Sequence, residues 1–228
     1  MTNRLHKEVE SLKKHLLSLV AEVEENVRMS VEALEKLNCT LAEKVIAADL
    51  NVDRREVDIE EECLKILALY QPVANDLRFI IAVLKINTDL ERISDLAVNI
   101  AERAAFLVTA KRIQMPFDFT IMSDKVQDML RKSINALITL DSQGAYEVCA
   151  DDDIVDAYHR EMYVIVQDAI RKSPDDLDEL IHYLGVSRHL ERIADQTTNI
   201  AEDIIYLING EIVRHHVEDF KKSDCQQS

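Results

Sequence analysis

The 228-residue chain contains three glycines, three prolines and no tryptophan. So few turn-forming residues exclude a strand-rich fold, which must reverse direction often, and favour long helices with few connections. Aromatic residues make up 5% of the chain, which leaves the core to be packed from Leu, Ile, Val and Ala. No apolar run approaches the roughly 18 residues of a spanning helix, so no direct membrane insertion is expected. The N-terminal Met-Thr-Asn-Arg-Leu-His-Lys-Glu runs straight into charged amphipathic sequence without a secretory apolar stretch, and a cytoplasmic location is expected. Positive charge is scarce as well: 27 Lys and Arg stand against 43 Asp and Glu, a net charge of −16. Such a chain repels nucleic-acid phosphates and anionic lipid, and attracts cations or basic protein surfaces. Cys39, Cys63, Cys149 and Cys225 form no Cys-x-x-Cys pair and are expected to be reduced thiols.

What the chain does have is an internal repeat. Glu91-Arg92-Ile93-Ser94-Asp95 with Asn99-Ile100-Ala101-Glu102 recurs 100 residues later as Glu191-Arg192-Ile193-Ala194-Asp195 with Asn199-Ile200-Ala201-Glu202. Repetition at that distance marks a tandem duplication, and shared polar residues point to a site, because packing alone preserves only an apolar pattern.

Periodicity predicts helix-helix-helix twice. Leu5, Val9, Leu12, Leu16, Leu19 and Val23 mark the first helix, and Asn38-Cys39-Thr40 a break with a capping residue. Val45, Val52, Ile59 and Ile66 form the heptads of a second helix, stopped at Gln71-Pro72. Phe79, Ile86, Ile93, Ile100 and Leu107 carry the third. A fourth helix holds Ile121, Met129, Ile134, Leu137 and Ile138, closed by Asp141-Ser142-Gln143-Gly144. The fifth runs through Val155, Tyr158, Met162, Ile165 and Ala169 to Ser173-Pro174. The sixth carries Leu177, Ile181, Leu184, Ile193, Ile200 and Leu207, closed by Asn209-Gly210. The expected architecture is all-α, two tandem three-helix bundles. Residues 1–112 form the first, 117–213 the second and 214–228 a polar tail, with the joint at 111–116.

On the third and sixth helices a spacing of four places Glu91, Asp95 and Asn99, and again Glu191, Asp195 and Asn199, along one face. The preceding helices supply matching pairs, Asp49 with Asp53 and Asp152 with Asp156. Antiparallel neighbours would bring four carboxylates and an amide together in each half, in a groove open to solvent. Unit charges about 4 Å apart repel by about 1 kcal/mol in water and more at lower dielectric, so something positive must compensate: a metal ion, or Arg92, Arg103 and Arg192 reaching across. The alternative is a solvated acidic face laced with arginine pairs, against which stands the recurrence of the same residue types, uncharged Asn included. An all-oxygen set favours Mg, Mn, Ca or iron, and with no His or Cys on either ridge a dedicated zinc site is not expected. A ferritin-like di-iron enzyme needs paired Glu-x-x-His motifs; Glu179-x-x-His182 has no counterpart in the first half, and no nucleotide fingerprint is present. His215-His216 reads as a solvated pair. A metal-free helical adaptor is the remaining rival.

At these residues the chain resembles the PhoU family of phosphate-uptake regulators. The segment Pro72-Val73-Ala74-Asn75-Asp76-Leu77-Arg78, followed by Leu90-Glu91-Arg92-Ile93-x-Asp95 and Asn99-Ile100-Ala101-Glu102, is similar to that family's signature, and the repeat extends the resemblance over nearly the whole chain. The resemblance implies two three-helix bundles with multinuclear metal clusters, iron or zinc, on Asp49, Asp53, Glu91, Asp95 and Asn99 and on Asp152, Asp156, Glu191, Asp195 and Asn199. It also implies a non-enzymatic negative regulator that links a phosphate ABC transporter ATPase to a sensor histidine kinase, and that dimerises. The alternative within the family is an adaptor for another ion transporter. One departure stands out: Asp76-Leu77-Arg78 keeps the family's pattern, whereas the second half has Asp176-Leu177-Asp178.

Overall fold

The computed structural model describes residues 3–113 and 117–210. Six helices follow one another: α1 (Asn3–Glu35), α2 (Cys39–Tyr70), α3 (Ala74–Thr109), α4 (Phe119–Thr139), α5 (Ser142–Lys172) and α6 (Leu177–Asn209), with a short 3-10 turn at Pro174–Asp176 leading into α6. There is no strand among the described residues, and the chain is all-α as expected.

Local chemistry sets the helix ends. The Asn38 side chain accepts the Leu41 N–H at 3.3 Å and so caps α2. Gln71 ends that helix in the left-handed region at φ 46, and Pro72 prevents its continuation. The second hairpin differs from the sequence expectation. Leu140, at φ 54, ends α4, and Asp141 already opens α5, so Ser142, Gln143 and Gly144 form a helical turn rather than a closing loop. A single left-handed residue reverses the chain, and no longer connection is needed. The polar tail at 214–228, with His215, His216 and Cys225, lies outside the described residues, as does part of the joint.

The heptads Val45, Val52, Ile59, Ile66 and Ile86, Ile93, Ile100, Leu107 are buried. Four expected apolar positions are instead exposed. Ile121 and Ile138 on α4, and Leu177 and Ile181 on α6, face outward. On α4 the inward face belongs to Phe119, Met122, Val126, Met129 and Leu137, and a residue two places from Phe119 points about 200° away from it.

Helices α1, α2 and α3 pack together, as do α4, α5 and α6, and the halves meet through α3 on α6 and α1 on α4. The α3–α6 seam is as extensive as the packing inside each half, and one continuous apolar cluster runs through both bundles. The seam is antiparallel: Lys85 pairs with Asp203 at 2.7 Å near one end, and Arg103 reaches His189 at 3.1 Å toward the other. Ser94 and Ala194 fall near its middle, so the duplication produces a pseudo-two-fold pair of bundles. Helices α2 and α5 lie outermost, packed mainly on the helices of their own halves.

Candidate metal centre

Burial of the α2 and α3 heptads sets the phase of each helix, and with that phase the two acidic ridges approach one another. Asp49 is half-buried; burial first, then the Asp53 and Asp95 carboxylates, push its carboxyl above the ordinary range. The Ser94 hydroxyl opposes this by donating to Asp49 Oδ1 at 3.5 Å. Glu91 is raised by burial, then by Asp95, Asp53 and Glu56, with Arg92 working against them. Asp95 is raised by burial and by Asp53. The four expected carboxylates therefore share one electrostatic field, in which each new negative charge opposes its neighbours.

The second half repeats the arrangement with greater frustration. Burial, then Asp195, Asp156, Asp153 and Glu191, push Asp152 up to about 7. Glu191 and Asp195 are also raised, by burial first and then by their acidic neighbours, with Arg192 opposing. Asp152 Oδ1 is buried and accepts no hydrogen bond. Ser94, which serves Asp49, is replaced in the second repeat by Ala194, which has no hydroxyl to give.

Not every expected ligand joins its cluster. The Asn99 amide donates to the Asp95 carbonyl of its own helix at 2.7 Å. Asn199 lines a groove of about 530 Å³ between α2, α3 and α6, together with Glu56, Glu60, Lys85 and Arg92. Two of the three arginines expected to neutralise the ridges also have other partners, though Arg92 still lowers the Glu91 carboxyl. Arg92 pairs with Asp89 at 3.5 Å, and Arg103 crosses the seam to His189. Arg160, not anticipated, pairs with Asp156 at 3.3 Å.

Two further titratable residues adjoin the clusters. Glu56 continues the α2 ridge one step beyond Asp53, and its carboxyl is raised by burial, Glu60 and Asp53. Its counterpart on α5 is His159, whose Nδ1 shares a short hydrogen bond with the Ser187 hydroxyl. Burial lowers the His159 pKa, while Asp156 opposes that shift. The second ridge is thus not free of histidine, contrary to the sequence expectation. The signal was present in the continued three-and-four spacing, but it holds different residue types in the two halves.

The residues fit an oxygen-coordinated cation. Half-buried carboxylates that raise one another's pKa, and an orphaned acceptor at Asp152, are groups that a cation would satisfy. Among the described residues no three His, Cys, Asp or Glu side chains converge tightly enough to hold an ion as they stand.

Comparison with known proteins supports the duplication directly. The family model for the PhoU domain matches twice, at residues 16–104 and 119–204. The chain belongs to the PhoU family. It is 39% identical over 217 residues to the phosphate-specific transport system accessory protein PhoU homolog of Aquifex aeolicus, covering 95% of this chain and 98% of that protein. The homolog of the same name from Clostridium acetobutylicum is 35% identical, covering 93% and 98%. The crystal structure of PhoU from Pseudomonas aeruginosa superposes with a TM-score of 0.86 at 33% identity, covering 90% of this chain and 99% of that one. The phosphate transport system regulatory protein PhoU from Streptococcus pneumoniae gives 0.82 at 28% identity, covering 92% and 99%. PhoU proteins are accessory and regulatory rather than enzymatic. The His182 ring stacks on Phe106 across the seam at 3.8 Å. No helix of the described residues is long and apolar enough to cross a membrane.

The departure at Asp178 also has a structural reason. Arg78, near the start of α3, lies against Gly210 at the C-terminal end of α6, where a β-carbon would stand 2.3 Å from Arg78 Nη1. A guanidinium there meets the negative end of the α6 dipole. At the opposite end of the seam the cation again comes from the first half: Lys111, just past α3, pairs with Asp176 at the start of α6. The second repeat needs no arginine at position 178.

Proposed function

We propose that this chain is a non-enzymatic regulator of phosphate uptake and a negative regulator of the phosphate-starvation response. In this reading it works in the cytoplasm, held near the inner membrane by a phosphate ABC transporter ATPase and a sensor histidine kinase, and it pairs with a second copy of itself. The observation that carries the proposal is end-to-end similarity to proteins named as phosphate-specific transport system accessory proteins. The net charge of −16 adds to it by favouring basic surfaces on protein partners over nucleic acid or anionic lipid.

The two clusters bind metal ions, iron, Mg or Mn in preference and Zn also, in multinuclear form. Asp49, Asp53, Glu91 and Asp95 hold them in the first half; Asp152, Asp156, Glu191 and Asp195 hold them in the second. Bound cations supply the positive charge that the ridges lack, and thereby fix the relative position of α2 on α3 and of α5 on α6. The raised carboxyls and the orphaned Asp152 oxygen support this reading.

Deleting the gene in phosphate-replete cells should switch on phosphate-starvation reporters, and unchanged reporters would sink the regulatory role. For the metals, elemental analysis of purified protein and a lower melting temperature after chelation are expected, because a ligand of the folded state stabilises it by mass action. An unaltered melt together with no bound metal would favour the metal-free adaptor.

A further inference from the structure

The outer face of α2 carries an apolar stripe that the fold does not use. Leu50 is 64% exposed, Val57 49% and Leu64 53%. At seven-residue spacing they share one side of the helix, pointing away from the buried Val52 and Ile59. The aligned positions on α5 are Asp153, Arg160 and Gln167. One half of the duplication folds without the stripe, so folding does not require it.

The residues between these three decide what covers the stripe. Ala47, Arg54, Glu61 and Ala68 fill the intervening positions of the same face, and Arg54 and Glu61 make no hydrogen bond or ion pair among the described residues. The pattern is self-complementary about Val57, with the apolar pairs centred on Val57 itself and the charged and alanine pairs only half a residue, about 0.75 Å, further along the helix. When two copies of α2 run antiparallel about that point, Leu50 of each meets Leu64 of the other and the two Val57 side chains meet at the centre. Arg54 of each copy then faces Glu61 of the other, twice over, and Ala47 lies against Ala68, allowing close approach at both ends. An isologous two-fold contact requires this kind of match of a surface with itself. The stripe is about 32 Å long from position 47 to 68 at 1.5 Å per residue.

We propose that the exposed face of α2 is the surface through which two copies of this chain associate, as an antiparallel α2–α2 pair centred on Val57. The inference rests on the pairing proposed above and deepens it by assigning the face and register. The charge order on the stripe favours a second copy over an unrelated helix, because both salt bridges form only with the same sequence running the opposite way.

Sedimentation velocity on the full chain tests the assignment. Wild type is expected to sediment as a dimer, and R54E and E61R each to raise the dissociation constant at least about tenfold, since either reversal sets two like-charged pairs against each other. An equimolar mixture of R54E and E61R should restore association as a heterodimer, because every facing pair is then opposite in sign. L50D, with unchanged circular dichroism, should be monomeric. If wild type pairs and none of these variants weakens it, association uses another face and the assignment is overturned while the pairing stands. If wild type remains monomeric into the millimolar range, both the face and the pairing fall. If the variants still pair but lose capture of a transporter ATPase, the stripe serves that partner and the assignment is again overturned.

Discussion

The guanidinium of Arg103 on α3 occupies the space that a β-carbon on Gly185 of α6 would fill, with Cζ 2.3 Å and Nε 2.6 Å from that position. Gly185 is thereby explained in the middle of a helix, where it otherwise costs about 1 kcal/mol relative to Ala. The glycine opens a slot through which Arg103 crosses the seam and donates from Nε to His189 Nε2 at 3.1 Å.

A double-mutant cycle should therefore reverse sign. In wild type, G185A is expected to destabilise by about 1–2 kcal/mol, because the gain in helix propensity is outweighed by displacement of a partly buried cation from its hydrogen bond. In an R103A background the same substitution should stabilise by about 1 kcal/mol, since the slot is then empty. Urea unfolding of the four proteins gives both values; a G185A effect of the same sign in both backgrounds refutes the slot.

His189 makes a second prediction, in pH. Burial first, then Arg103, Arg192 and Arg188, push its pKa down to about 4. A histidine that is neutral in the fold but protonated when unfolded contributes stability above its ordinary pKa near 6.5. That contribution is lost as pH falls from there through 4. H189Q keeps an acceptor for Arg103 and removes the titration, so the wild-type melting temperature should fall relative to H189Q between pH 6.5 and 4. Parallel curves would show that His189 is not held neutral by the seam.

Much of this was readable in one dimension. Heptads at Val45, Val52 and Ile59 name a helix and its buried side because the pattern is local and the period is fixed by geometry. The carboxylate ridges were legible because the duplication printed them twice. The sequence did not reveal features that depend on which helix lies across the seam: Arg103 over Gly185, Arg78 against Gly210, and the hydrogen bond that takes Arg103 to His189. No periodicity encodes that α3 packs antiparallel on α6. Glu56 and His159 were missed for a different reason. They occupy the same step of the ridge, but a search for identical residues in both halves passes over an acid that has become an imidazole.

Arg78 gives a third expectation. Its guanidinium lies at the C-terminal end of α6, and its Nη2 donates to Asn75 Oδ1 at 2.6 Å. R78D copies the residue found at position 178 and places a carboxylate at the negative end of the α6 dipole. A loss of about 1 kcal/mol or more is expected, with R78K recovering most of it because the charge is retained. Equal losses for Asp and Lys would assign Arg78 a packing role instead.

The fourth concerns Ser94 and Ala194, which occupy the same step of the two repeats and differ by one hydroxyl oxygen. Asp152 is pushed up to about 7, chiefly by burial and then by Asp195 and Asp156, and its Oδ1 has no donor. A carboxyl raised in the fold favours folding while protonated, fully so below its ordinary pKa near 3.9, and that contribution is lost as pH rises through 7. Metal-free protein should therefore lose stability from this group across that window. D152N should abolish the loss and, above pH 7, exceed chelated wild type by about 1–2 kcal/mol after solvent screening is allowed for. A194S supplies the hydroxyl that Ser94 gives Asp49, and should bring the Asp152 carboxyl back toward the ordinary range, seen in its carbon-13 titration. With metal present the order inverts. D152N should bind less cation than wild type in the second cluster, because a neutral amide replaces a charged oxygen, whereas A194S should hold it at least as well. If D152N leaves both the chelated stability and the metal content unchanged, Asp152 faces neither its acidic neighbours nor an ion.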